Sequence, residues 1–151
     1  MEKSLYMEEA LKEAYKAYNK GEIPIGAIIV KDGKIIARAH NRTEELKDST
    51  AHAEMLAIKQ ASEVLGGWRL INCDLYVTME PCIMCSGAII NSRIKNVIIG
   101  AKHIKNLKME KQHEFKMDYY KDNNIEVTFG ILKDECSHIL QEFFKTLRSR
   151  H

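Results

Sequence analysis

Two short segments of this chain carry an imidazole, a carboxylate and two thiols in a pattern that could do chemistry. Thr50-Ala51-His52-Ala53-Glu54 supplies the imidazole and the carboxylate, and Met79-Glu80-Pro81-Cys82-Ile83-Met84-Cys85 supplies the thiols. One imidazole and two sulfurs suit zinc. Cys82 and Cys85 are three apart at a helix start, so both sulfurs share one face. A helix N-terminus stabilises thiolates and disfavours a protonated histidine, which favours the metal-binding forms of all three ligands. Three protein ligands leave one tetrahedral position open, and a water bound there is acidified, as in catalytic zinc sites. Glu54 is the candidate to take that water's proton and pass it to a leaving group. In a regular helix it would point roughly 200° away from His52, so this role needs the looser geometry of a helix start. Two alternatives stand beside it. Cys-x-x-Cys alone fits a structural zinc or a redox pair, and Cys73 could close the shell as a fourth ligand.

The elements that must position these residues follow from periodicity. Met7, Leu11, Ala14, Ala17 and Tyr18 recur at helical spacing over 4–20, and Gly21 is a natural stop. A β-rich run over 23–30 and the turn signal Asp32-Gly33 predict a hairpin with 34–39. Residues 41–49 are polar and predict a loop. Ser49 or Thr50 can cap a helix over 52–65 that ends at Gly66-Gly67. Strands are expected over 73–79, 94–100 and 125–131, with helices from Pro81 to about Asn91 and over 134–147. No assignment is made for 102–124. The order implies a single domain over 1–151, with a mixed five-stranded sheet covered by helices on both faces.

Composition narrows the class. The chain has 151 residues, 45% hydrophobic and 29% charged, with 2 Pro and 8 Gly, which is the balance of one globular domain. The longest apolar stretch, 25–30, is far below the ~20 residues of a membrane span. The N-terminus lacks the apolar core of a signal peptide, so a cytoplasmic protein without membrane partners is expected. The net charge of +2 means that any basic footprint for nucleic acid must be local.

Together the two segments match the His-x-Glu … Pro-Cys-x-x-Cys signature of zinc-dependent deaminases. The chain also resembles the bacterial tRNA-specific adenosine deaminases over nearly its whole length. The likeness rests on Ile23-Pro24-Ile25-Gly26-Ala27, His40-Asn41-Arg42, Thr50 to Glu54, Leu75 to Cys85, Gly87 to Ile94, Gly130-Ile131-Leu132, Glu135-Cys136 and Phe143-Phe144. The resemblance implies a three-layer α/β/α cytidine-deaminase-like fold. It implies one zinc per chain on His52, Cys82 and Cys85, with Glu54 as proton shuttle and no organic cofactor. It further implies a homodimer that converts the wobble adenosine of a tRNA anticodon loop to inosine, with Asn41 recognising the base. Ala51, Met79, Glu80, His103 and Lys105 complete the expected substrate contacts, Met79 and Glu80 through their backbone. A free-base or nucleoside deaminase on the same scaffold and a non-catalytic RNA-binding module with a structural zinc are the alternatives.

One stretch departs from the family. Where the family carries an Asp, a Lys and a Gly-rich run after Gly100-Ala101, this chain has Lys102-His103-Ile104-Lys105-Asn106-Leu107-Lys108-Met109-Glu110-Lys111. His103 stands in the place of the Asp, Lys105 fits, and the glycines are gone. Lys102, Lys105, Lys108, Lys111, Lys116 and Lys121 form a basic run that suits a solvated helix face or a phosphate track. Lys145, Arg148 and Arg150 could also meet phosphates. Other residues are expected to be structural: Trp68 a core anchor, Cys73 and Cys136 buried thiols, and His113, His138 and His151 surface groups.

Overall fold

The computed structural model describes residues 2–149; Arg150 and His151, both named above, lie outside them. A five-stranded mixed sheet runs in the order β2-β1-β3-β4-β5, with β1 Gly26–Lys31, β2 Lys34–His40, β3 Cys73–Met79, β4 Asn96–Ala101 and β5 Glu126–Phe129. β1 pairs antiparallel with β2 and with β3, while β3, β4 and β5 are parallel.

Strand alternation splits the core in two. Ala27 and Ile29 of β1, Leu75 and Val77 of β3, and Val97 and Ile99 of β4 face one side. Ile28, Val30, Tyr76 and Ile98 face the other. This is the period-2 consequence of a strand buried on both faces. The first side is covered by α3 Ala53–Leu65, α4 Ile83–Asn91 and α5 Leu107–Asp122. The second is covered by α1 Lys3–Asn19 and α6 Lys133–Ser149. The three-layer α/β/α architecture expected from the sequence is therefore present. α1 and α6 approach the sheet closely at two glycines: a Cβ on Gly26 would collide with the Ala10 backbone, and one on Gly100 with Cys136. Cys136 is fully buried there, and Cys73 opens β3 as a buried thiol.

Four details differ from the sequence reading. The polar stretch 41–49 contains a short helix, α2 Thr43–Leu46. Residues 102–124, unassigned above, carry the 16-residue α5, started by an Asn106 side chain that accepts from the Met109 N–H at 2.9 Å. The helix expected from Pro81 begins at Ile83, with Cys82 as its extended N-cap. Trp68 is not a core anchor. It is 53% exposed, with the guanidinium carbons of Arg69 and Arg93 at 4.4 and 5.6 Å from its ring centroid. These cation–π contacts hold the indole at the surface.

Candidate metal centre and active site

Two helix starts meet beyond the end of β3. His52 is the N-cap of α3, with φ −75° and ψ 153°, and Cys82 is the N-cap of α4, with φ −70° and ψ 175°. Neither side chain caps its own helix, so both are available as ligands. Cys85 lies in the first turn of α4 and is buried, while Cys82 is exposed. His52 Nδ1 lies 3.6 Å from Cys82 Sγ and 3.5 Å from Cys85 Sγ. Zinc bonds of ~2.0 Å to nitrogen and ~2.3 Å to sulfur at tetrahedral angles require an N···S separation of about 3.5 Å. The donor set and its spacing fit zinc. Among the described residues this trio is the only His/Cys/Asp/Glu group so placed. Cys73 is outside it, its Sγ turned toward the Ile71 carbonyl at 3.7 Å, so the closed four-ligand alternative fails.

The electrostatics favour a thiolate at the mouth of the site. The hydrogen bond from the Cys85 thiol draws the Cys82 pKa down to about 5 against the opposing effect of burial, helped by the Cys85 N–H and by His52. The same bond, burial and the Glu54 charge push Cys85 up. The first proton to leave the pair is therefore that of Cys82.

Glu54 reaches the same place. The awkward half-turn between His52 and Glu54 disappears because His52 is extended and only Ala53 and Glu54 are helical. The Glu54 carboxyl is buried beside the Cys82 and Cys85 side chains. Burial raises its pKa to about 7, with the Cys82 charge adding to the rise. A carboxyl poised near neutrality can both take and return a proton.

Asn41 supplies the cap that His52 does not. Its Oδ1 accepts from the Ala53 N–H at 2.7 Å, which satisfies one of the orphan donors of α3. The amide Nδ2 is left as the donor that Asn41 can offer a ligand. Ala51 is buried, and its carbonyl accepts from the Arg42 N–H at 3.0 Å. Met79, His103 and Lys105 come together in a cavity of about 260 Å³ that also takes in Lys102, Phe144 and Arg148. Lys105 Nζ sits 5.2 Å from the centroid of the Phe144 ring. Burial, followed by the charges of Lys105 and Lys116, lowers the pKa of His103 from the usual value.

Two expectations, for Lys116 and His113, are corrected here, and both turn on the buried Glu80 side chain. The side chain has no exposure, and its Oε2 lies 2.7 Å from Lys116 Nζ and 2.8 Å from His113 Nδ1. Burial alone would raise its pKa, but hydrogen bonds from Lys116 and His113 win and hold it below the usual carboxylate value. Lys116 accordingly leaves the basic run: it is buried, whereas Lys102, Lys105, Lys108, Lys111 and Lys121 are exposed. His113 is no surface group either, because Glu80 holds it inward. Sequence reasoning also passed over Glu22. Its buried carboxylate accepts from the Glu44 and Glu45 N–H groups at 3.2 and 2.7 Å, capping α2 next to Asn41. The available signal was an acid directly after the Gly21 stop, in front of an apolar strand.

A family profile described as the cytidine and deoxycytidylate deaminase zinc-binding region matches residues 1–101. A tRNA-specific adenosine deaminase of Aquifex aeolicus is 48% identical over 159 aligned positions, spanning 99% of this chain and 98% of that protein. A solved structure from a study of A-to-I editing by tRNA:A34 deaminases at the wobble position superposes with a TM-score of 0.83 and 43% identity. It covers 91% of this chain and 100% of its own. A guanine deaminase of Bacillus subtilis gives a TM-score of 0.66 and 40% identity, over 80% of this chain and 76% of its own.

Proposed function

The chain belongs to the zinc-dependent cytidine and deoxycytidylate deaminase family, among the tRNA-specific adenosine deaminases, and from that premise we propose that it converts the wobble adenosine of a tRNA anticodon to inosine. The observation that carries this reading is the His52–Cys82–Cys85 cluster at zinc spacing with the buried Glu54 carboxyl beside it. The near full-length likeness to tRNA-specific adenosine deaminases supports the choice of substrate.

His52, Cys82 and Cys85 would hold the metal, and a zinc bound there would supply a Lewis acid that makes water nucleophilic at neutral pH. Glu54 holds the proton released from that water. It passes that proton to the purine ring nitrogen as the C–O bond forms, then carries the second proton, from the hydroxyl now on the purine carbon, to the amine, so the C–N bond breaks, ammonia leaves and a carbonyl remains. Asn41 Nδ2 donates to the base edge while its Oδ1 anchors α3, so base recognition and the His52 position share one residue. Splaying the base out of the loop costs a few kcal/mol, which contacts to neighbouring nucleotides must offset. Lys105, Phe144 and Arg148 around the side cavity are placed to make them. A tRNA substrate puts the enzyme in the cytoplasm.

A second copy of the chain completes the assembly. Ile83 and Met84 of α4 and Leu107 and Phe115 of α5 are exposed apolar side chains close to the ligands, a surface suited to a homodimer. Light scattering should report about twice 17.4 kDa; a monomer with full activity on RNA would remove the dimer from the account.

A free-base deaminase is the second reading, favoured by the guanine deaminase likeness and the altered 102–111 stretch. One assay panel decides between them: zinc content, inosine formation in an anticodon stem-loop RNA, and ammonia release from free guanine, cytosine and adenine. Inosine without ammonia from free bases supports the tRNA reading, and the reverse result replaces it.

A further inference from the structure

α5 turns an unusual stripe toward the site. His113, Lys116 and Tyr120, at helical spacings of three and four, lie along one face. Lys116 Nζ is 2.7 Å from Glu80 Oε2 and donates to the Pro81 carbonyl at 2.8 Å. His113 Nδ1 lies 2.8 Å from the same carboxylate oxygen. The other oxygen of Glu80 accepts from the His103 N–H at 3.4 Å. One turn further on, the Tyr120 and Ser86 hydroxyls share a hydrogen bond of 2.7 Å. The groups gripped by α5 are thus Glu80 and Pro81, just before Cys82, and Ser86, just after Cys85.

We propose that Lys116 is a positioning residue for the metal ligands, acting with His113 and Tyr120 to hold the segment that carries both cysteines. Pro81 has no N–H, so its carbonyl is the only backbone polar group that this residue can offer to hold the approach to Cys82. Lys116 takes that carbonyl and the adjacent carboxylate with one ammonium group. Its side chain is 8% exposed and that of Glu80 is not exposed, so the pair is desolvated. Removing one partner leaves a buried charge uncompensated, a much larger effect than the net worth of the pair. Glu80 also ties this grip to the substrate side, because the His103 N–H closes on it and the Glu80 N–H donates to the Ala101 carbonyl at 2.9 Å. The same ammonium therefore sets the register between the ligand segment and the 102–105 segment. Partners one step behind metal ligands commonly change metal affinity or activity by about 10–100-fold.

The inference rests on zinc ligation and not on the identity of the substrate. Its test uses the full chain. Lys116→Met, Lys116→Arg and the neutral pair Glu80→Gln/Lys116→Met are compared with the parent. The readouts are zinc competition against a chromophoric chelator, the absorption spectrum of the cobalt(II) form, and kcat and KM separately. Lys116→Met should hold zinc about 10–100-fold more weakly, shift the cobalt spectrum, and lower kcat more than it raises KM. Lys116→Arg should restore a large part of each. If Lys116→Met does not fold, the neutral pair carries the test. It leaves no buried charge unpaired but still frees the Pro81 carbonyl, so it should show the same loss of zinc. A folded Lys116→Met or neutral pair with the parent's zinc affinity and cobalt spectrum would overturn the proposal, even with a lowered melting temperature. A parent protein that takes up neither metal would instead refute the zinc site itself.

Discussion

Three helices reach the metal pocket by two routes. α3 and α4 arrive end-on, each presenting a ligand from an extended N-cap residue, His52 or Cys82. α5 arrives side-on and contributes mid-helix side chains, Lys116 and His113, to a carboxylate that binds no metal. The end-on route fixes donors through a few adjacent backbone angles and adds the positive end of each helix dipole, which suits thiolates. The side-on route fixes position through buried charge pairs across more than thirty residues of chain. Damage to a helix end should therefore remove metal or turnover outright, whereas damage to the flank should act by degrees.

The largest expected effect separates ligand from non-ligand at the ends. Cys82→Ala should lose zinc and activity together, measured by metal analysis of the purified protein and by inosine formation. Cys73→Ser, at the start of β3 and outside the cluster, should keep about one zinc per chain and its turnover. Equal zinc in Cys82→Ala and the parent would break the end-on account. Next in size comes Glu54→Ala, which should keep zinc and fold but lose at least ~10²–10⁴-fold in turnover, the usual scale of acid–base catalysis. Single-turnover rates within tenfold of the parent would take Glu54 out of the proton path.

The same contrast explains what could be read from the chain before folding. His52, Glu54, Cys82 and Cys85 are legible because each set lies within a few residues and its chemistry depends on that spacing. The sheet is legible because Ile28, Ile29 and Val30 and their counterparts in β3 and β4 alternate between two buried layers. α5 is not legible by periodicity, because its inward stripe includes His113 and Lys116 where an amphipathic helix would have apolar residues. Lys116 looks like one more cation in a basic run until Glu80, thirty-six residues earlier, is seen opposite it. α2 is hidden for a related reason: its cap is Glu22, bonded to N–H groups 22 and 23 residues further on, and its own N-cap Arg42 makes no side-chain cap bond. Trp68 misleads in the opposite direction, since a large aromatic after two glycines suggests burial and the two arginines that hold it outside are recognisable only in space.

Asn41 lies between the two routes, a distant side chain that serves a helix end. Its bond to the Ala53 N–H is a cap supplied from outside α3, and loss of such a cap costs about 1 kcal/mol. Asn41→Ala should lower unfolding stability by about that amount and raise KM, while zinc remains bound. Asn41→Asp keeps the cap oxygen and removes the Nδ2 donor, so it should recover the stability but not the KM. Recovery of both in chemical denaturation and steady-state kinetics would make Asn41 a purely structural residue.

The smallest effect is expected at the far end of the side-on network, where the 102–105 segment meets solvent. Lys105 is exposed and lines the side cavity with Phe144 and Arg148, so one phosphate contact is the most it should contribute. Lys105→Ala should reduce the slope of log affinity against log salt by ~0.7 on single-stranded RNA, with zinc unchanged. His103 sharpens the same measurement through pH. Its imidazole is partly buried and faces the Lys105 and Lys116 charges, with Glu80 alone opposing them, and the sum lowers its pKa below the usual histidine value. Protonation adds a positive charge that an RNA phosphate would favour, so affinity rises as pH falls. The lowered pKa moves that rise toward acid, away from the interval from 7.5 to 6 that an unperturbed histidine would span. Binding of an anticodon stem-loop should stay nearly flat from pH 7.5 to about 6.5, near the ordinary histidine value, and strengthen below it. His103→Asn should abolish the rise. A rise already complete at pH 6.5, or one that survives the substitution, would detach His103 from the charge network that α5 extends toward the substrate.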